Sequence, residues 1–312
     1  MVPVDFYARR RLNRRRTVVL VLGFVLFFLA VGLGVDATWA GFLVPGGEPF
    51  PVVTCMAGGL AVATSVGAYF GGARMVMASL HARPLDLNDP EHHQLFNVVT
   101  EMALASGLPL PQLFIIPDTA PNALSAGRDP RHAVLGVTQG LLNLLDRQET
   151  QGVIAHEMAH IADHDTLMMT LVGVLFGGAL MLADWARRAL YFSDNRRRGN
   201  PVLFLLVLVL IAVTPLLSCL LAMAVSRQRE YLADATAVQF TRNPVGLASA
   251  LEKIGRATSP LREATRGTAH LFISNPWPRR VDAQEGRLAD LLSTHPPLAQ
   301  RIAILRAMAH TG

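Results

Sequence analysis

Four long apolar runs, at 17–35, 52–72, 167–183 and 202–225, punctuate the chain, and none contains a charged residue. At about 1.5 Å of rise per residue, three of them can cross the roughly 30 Å of a bilayer interior, and 167–183 only just can. Six arginines (Arg9, Arg10, Arg11, Arg14, Arg15 and Arg16) stand directly before the first run. A cleavable signal peptide has a shorter apolar core and a small-residue cleavage site, so this run reads as an uncleaved anchor with its arginines in the cytoplasm. Residues 36–51 are rich in Gly and Pro, carry Asp36 and Glu48 and lack Lys and Arg, as an external turn would. The second run returns the chain, and Arg74 and Arg83 follow it. Between the third and fourth runs, residues 185–200 carry Arg187, Arg188, Arg196, Arg197 and Arg198. Counting crossings puts this loop outside, whereas five arginines favour the inside. Two readings stay open: a crossing pair with an unusual external loop, or a hairpin that does not fully cross. Run length leans towards two crossings.

The polar stretches have shorter periods. Residues 90–105 read as a helix, and Gln112-Leu-Phe-Ile-Ile116 as a strand between prolines. Residues 121–127 and 132–138 read as two more strands, joined by the turn Arg128-Asp129-Pro130. Asp146-Arg-Gln-Glu149 has the spacing of a capping box and predicts a helix start there.

Composition agrees with a membrane protein: 51% of the 312 residues are hydrophobic and 16% charged, with a mean hydropathy of +0.35. The net charge is +5, but the arginines cluster beside apolar runs without interleaved aromatics, which reads as membrane topology and not nucleic-acid binding. Cys55 and Cys219 both fall in apolar runs, so they read as packing residues and not as a disulfide framework.

The predicted helix after Asp146 carries His156-Glu157-Met-Ala-His160. Imidazoles four residues apart lie one turn above each other, where both can reach one zinc ion, and the Glu between them can reach water beside it. The small apolar flanking residues would bury Glu157 without a partner if the helix were merely structural. The pattern is that of a zincin active-site helix. Catalytic zinc takes three protein ligands, so a third must come from elsewhere. His164 continues the series but lies about 12 Å along the axis from His156, too far to share an ion. The metzincin pattern fails as well, because Asp163 and Thr166 stand where its Gly and third His belong. His92 and His93, in a polar stretch, read as surface residues. The best candidate lies in Ser226-Arg-Gln-Arg-Glu230-Tyr-Leu-Ala-Asp234, where Glu230 and Asp234 share one helical face. Glu230 offers a ligand and Asp234 a carboxylate to orient a bound imidazole, although an ordinary helix charge near Arg227 has the same spacing.

Four segments in order, PNALSAG at 121–127, HEMAH at 156–160, SRQREYLAD at 226–234 and Thr294-His295-Pro-Pro-Leu-Ala-Gln-Arg301, together resemble the HtpX family of bacterial membrane zinc endopeptidases, relatives of the CAAX-prenyl proteases. The resemblance covers nearly the whole chain. It implies His156, His160 and Glu230 as zinc ligands, one ion per chain, with Glu157 as catalytic base and Asp234 behind a ligand. It also implies that Asn122, Ala123 and Leu124 form an edge strand that pairs with substrate backbone. Leu124 stands where relatives often carry Phe, a departure that leaves the strand role intact and bears on side-chain preference. By analogy with the family's HPP segment, His295 is a candidate donor to the tetrahedral oxyanion, with a loop histidine held by Pro296 and Pro297 as the other reading. Arg227 and Arg301 are candidates either for pairing with site carboxylates or for surface roles.

The expected fold is a mainly α membrane protein with a zincin-type α+β metalloprotease domain, about four hydrophobic helices and a small sheet. Four parts are expected: a transmembrane hairpin (1–72), the first half of the protease domain (73–166), a hydrophobic hairpin (167–225) and the second half (226–312). The expected location is the inner membrane, with the protease domain in the cytoplasm and misfolded or damaged membrane proteins as substrates. A channel or transporter would place ionisable groups within its spans, and these runs have none. A silent zinc-holding scaffold would want a fourth protein ligand where this chain has Glu157.

Overall fold

The computed structural model describes residues 6–43, 50–179, 227–257, 259–265, 267–277 and 296–309. The first two apolar runs are long helices, α1 (Phe6–Leu43) and α2 (Val52–Ser79), packed side by side. Each contains a stretch long and apolar enough to cross a membrane. Asp36 was expected in an open turn, but it lies within α1. Its carboxylate accepts from the amides of Val53 at 3.1 Å and Thr54 at 2.8 Å, and from the Thr54 hydroxyl at 2.7 Å. The first amides of α2 have no partner within their own helix, and this acidic side chain supplies one. The helices meet closely here, because a Cβ on Gly32 would stand 2.5 Å from the Thr54 Cα. Cys55 is exposed on α2, contrary to its expected packing role, and Cys219 lies outside the described residues.

A four-stranded mixed sheet follows, made of β1 (Arg83–Pro84), β2 (Gln112–Ile116), β3 (Ala123–Gly127) and β4 (Ala133–Thr138), in spatial order β1-β2-β4-β3. β2 and β4 run parallel, and β3 pairs antiparallel with β4 through the turn at Asp129 and Pro130. Between β1 and β2 lies α3 (Pro90–Ser106), started by Asp89 capping the Glu91 amide and Pro90 in the first turn, and ended by Gly107 at φ +67°. Thr138 then caps α4 (Gln139–Leu144), and Asp146 starts α5 (Arg147–Ala162).

α5 lies at the centre of the fold. It packs on α3, on β3, and on the later helices α7 (Arg227–Thr241) and α8 (Pro244–Arg256). A Cβ on Gly152 would stand 2.7 Å from the Leu247 amide nitrogen, so glycine is what lets α5 and α8 come together. Val153, Ile154, Met158 and Ile161 fill one core with Leu95, Val99, Leu135, Leu247 and Leu251. Burial of this apolar surface is the main stabilising term of the sheet–helix unit. After α5 the chain turns through His164, whose φ is +54°, into α6 (Thr166–Leu171), which continues through a π turn at Val172–Phe176. This third apolar run packs against α1 and α2 as far as residue 179. The fourth run and the arginine-rich 185–200 loop lie outside the described residues, as does the question of whether 167–225 crosses a membrane. α9 (Leu298–Ala309) closes the fold against α8 and α7.

Candidate metal centre

The Asp146 side chain accepts from the Glu149 amide, and Glu149 reaches back to the Asp146 amide, both at 2.9 Å. From that cap α5 carries His156 and Glu157 into the interior, where they are 0% and 1% exposed. α7 lies along it and presents Glu230 and Asp234 from successive turns, both buried. The two imidazole Nε2 atoms are 3.2 Å apart. Glu230 places its Oε2 3.8 Å from His156 Nε2 and its Oε1 3.7 Å from His160 Nε2. Donors about 2.0–2.2 Å from one tetrahedral ion stand roughly 3.3–3.6 Å from one another, so the spacing suits a single ion.

The other ring nitrogens decide what faces that gap. His156 Nδ1 lies 2.9 Å from Asp234 Oδ1, and His160 Nδ1 lies 3.1 Å from Asp165 Oδ2. A carboxylate at Nδ1 accepts a hydrogen bond from Nδ1–H, which keeps the ring proton there and leaves the Nε2 lone pair facing the gap. Two such lone pairs and the Glu230 carboxylate then converge on one point, which calls for a cation. The same negative charge acts on His160: burial pushes its imidazolium down, but Asp165, Glu230 and Glu157 outweigh it and lift its pKa to about 10. The donor set therefore fits a zinc ion.

A further set of contacts holds these groups in place. Arg301 is 0% exposed and grips Asp234 with both arms, Nε to Oδ2 at 2.8 Å and Nη2 to Oδ1 at 2.7 Å. Its Nη1 also donates to the Ile273 carbonyl at 2.9 Å. Burial raises the Asp234 carboxyl, yet Arg301 and His156 bring it below the usual carboxylate range. Glu157 Oε2 accepts from the Ser125 hydroxyl at 2.7 Å, while its Oε1 is buried with no hydrogen-bond partner among the described residues. Burial is the main cause that lifts the Glu157 pKa. Glu230 adds to the rise, and His156, His160 and Ser125 oppose it.

The centre lies at the bottom of a tight cleft with only about 10 Å³ of free space, lined among others by Ser125, Glu157, His160, Glu230, His270 and Phe272. Asn122, Ala123 and Leu124 lie beside it at the sheet edge, where residues 272–274 of the same chain run along them. The Ile273 amide donates to the Ala123 carbonyl at 3.0 Å, and Leu124 bridges Phe272 in antiparallel fashion. The Asn122 side chain clasps Ser274, donating to its carbonyl at 3.0 Å and accepting from its amide at 3.4 Å. The edge groups are satisfied by the chain itself, because buried backbone donors and acceptors demand partners.

His156, His160, Glu230, Glu157 and Asp234 thus come together, and His295 lies outside the described residues. Arg301 is a buried partner of Asp234 and not a surface residue, whereas Arg227 is exposed. His92 and His93 bond to the carbonyls of Asp86 and Leu87, away from the centre. Asp165, Ser125 and His270 are among the lining residues that escape the sequence reading. Asp165 stands five residues after His160, outside helical register, and reaches it only because the chain reverses at His164. Ser125 lies within the PNALSAG segment, where nothing in the sequence singles out its hydroxyl, and His270 is a lone histidine without a motif.

The arrangement is that of an HExxH metallopeptidase bearing two helices of membrane-spanning length. Residues 90–309 match the family model described as Peptidase family M48. A protein named Protease HtpX homolog from Thermoanaerobacter pseudethanolicus is 43% identical over 248 residues, covering 77% of this chain and 80% of that protein. One of the same name from Dictyoglomus turgidum is 36% identical over 311 residues, covering 99% and 96%. Among solved structures, that of S. mikatae Ste24p aligns over 97% of this chain and 67% of its own, with 17% identity and a TM-score of 0.49, too distant a likeness to argue from. The chain belongs to peptidase family M48, among its HtpX-type members.

Proposed function

We propose that the chain is a membrane-bound, zinc-dependent endopeptidase in which His156, His160 and Glu230 hold the ion. The observation that carries this reading is the convergence of two carboxylate-oriented imidazoles and Glu230 on one point beside a buried glutamate. When bound, the ion supplies Lewis acidity that polarises a scissile carbonyl and acidifies water. Glu157 is the base: Ser125 anchors Oε2, so Oε1 takes the proton of the attacking water and later returns it to the leaving amine. Burial raises the Glu157 carboxyl above its ordinary value, a shift that favours a group that must hold a proton before it returns it. Asp234, clamped by Arg301, and Asp165 keep the two imidazoles aimed. His295, carried over from the resemblance, is the proposed donor to the oxyanion.

Substrate backbone pairs with β3 at Asn122, Ala123 and Leu124, and takes the place that Phe272 to Ser274 hold along that edge. The substrates are unfolded or damaged membrane proteins and the role is quality control, as the resemblance to HtpX proteases suggests. The setting is the inner membrane, with residues 1–72 as an anchoring hairpin and 167–225 as a second hydrophobic hairpin. Segments 73–166 and 226–312 form one protease domain on the cytoplasmic side. The test is to strip the purified chain with chelator, add zinc back, and incubate it with an unfolded membrane protein. Cleavage should disappear and return with zinc. Zinc binding without any cleavage would instead indicate a silent scaffold.

A further inference from the structure

A second cleft, of about 600 Å³, opens at the basic end of the α1–α2 hairpin, with α6 as its floor. Its walls are mostly apolar, with Val18 and Leu22 from α1, Phe70 from α2 and Leu171 from α6. Its mouth carries Arg14 and Arg128, and among the described residues no carboxylate lines it. Arg14 is exposed, and Arg128 lies over the Phe70 ring with its Cζ 5.3 Å from the centroid, which holds the guanidinium at the rim. Asp129 is 3.5 Å from the Arg128 Nε and screens it in part, which leaves Arg14 as the stronger anion contact.

Such a cleft suits a ligand with an anionic head and a long apolar tail. Arg14 and Leu22 are eight residues apart, about 12 Å along α1, so the cleft runs from the arginine belt into the apolar part of the helix. In a bilayer that is the path from headgroup to acyl chain. A peptide fits less well. The apolar walls are helices whose backbone groups are bonded internally, with Arg128 and His164 coming from turns, so an extended chain would find few main-chain partners there. The volume lies in the ordinary range for a bound small molecule.

We propose that this cleft is a binding site for one anionic phospholipid, its phosphate on Arg14 and Arg128 and one acyl chain along Val18, Leu22 and Phe70. The site shares a segment with the metal centre. His164 lines the cleft, the next residue, Asp165, holds His160, and the Asn13 side chain of α1 donates to the Asp163 carbonyl at 3.3 Å. A lipid in the cleft braces the turn that aims a proposed zinc ligand. The inference rests on the membrane reading given above.

The test is native mass spectrometry of the full chain in a neutral detergent, titrated with phosphatidylglycerol or phosphatidylcholine of the same acyl chains. The chain should retain one phosphatidylglycerol about tenfold more strongly than phosphatidylcholine. That preference should vanish in the Arg14→Gln/Arg128→Gln double variant and persist in Arg83→Gln, a change outside the cleft. Because the double variant could fold poorly, Val18→Trp serves as a second probe: it fills the cleft, keeps both arginines, and should also lose the adduct. Equal retention of the two lipids, a bound lipid that survives both changes, or a peptide adduct at this cleft would overturn the proposal. Carbonate extraction of the native membrane separates the two levels. Release of the chain would defeat the membrane reading itself, whereas a retained chain with no lipid preference defeats only the site.

Discussion

At the residue scale, the centre is decided by which nitrogen of each imidazole is taken. Asp234 and Asp165 occupy the Nδ1 atoms, so both Nε2 atoms face the same gap. Asp165→Asn should weaken zinc binding about 10- to 100-fold while leaving the fold intact, which zinc titration and far-UV circular dichroism would measure. Unchanged affinity would remove Asp165 from the site. The His160 proton gives a second expectation. Its folded pKa of about 10 lies above the ordinary 6.5, so its contribution in the metal-free chain is complete below the ordinary value and is lost as pH rises through about 10. Zinc must displace that proton. At pH 8 uptake should therefore release about one proton per chain from His160, detectable by calorimetry in buffers of different ionisation enthalpy. No release would mean that His160 is already neutral.

HExxH could be read directly because helical spacing alone sets its geometry, whereas the spacing of Glu230 and Asp234 left an ordinary helix charge open and only the family resemblance gave them roles. Asp165 was not, because its approach depends on a backbone reversal at His164 that no side-chain pattern announces. Arg301 stayed ambiguous because one arginine reads alike on a surface and in a core, until α9 buries it beside Asp234.

At the element scale, the sequence marks where elements start and stop better than what covers them. The capping box at Asp146 and the strand at 112–116 are local patterns and are present, and the strands expected at 121–127 and 132–138 occur at 123–127 and 133–138. The cover on the β3 edge is not local: Phe272 to Ser274 lie about 150 residues downstream of their partners. If substrate pairs where Ile273 now donates to Ala123, weakening that contact should ease entry. Ile273→Pro removes the donor and should raise kcat/KM about fivefold with little change in bound zinc. A fall in kcat/KM with zinc retained would mean that the segment helps to build the site and does not yield to substrate.

At the scale of the whole molecule, charge and length set the arrangement. The metal centre joins α5 and α7, which flank the hydrophobic 167–225 segment, so both must lie on the same side of any membrane. That requires an even number of crossings within the segment, and run length favours two. A cysteine placed at Ser193 should therefore label from outside sealed vesicles, and one at Ser259 only from the cytoplasmic side. External labelling at Ser259 would overturn the topology.

The central claim is that Glu157 is the base of a zinc peptidase, and one variant addresses it most directly. Glu157→Gln keeps the size of the side chain, the contact with Ser125 and all three proposed ligands, and removes only the ability to take a proton. Zinc content and cleavage of an unfolded membrane protein are measured on the same preparation. Wild-type zinc content with cleavage reduced by at least about 10³-fold is the predicted result. Cleavage near the wild-type rate with zinc in place would contradict the account.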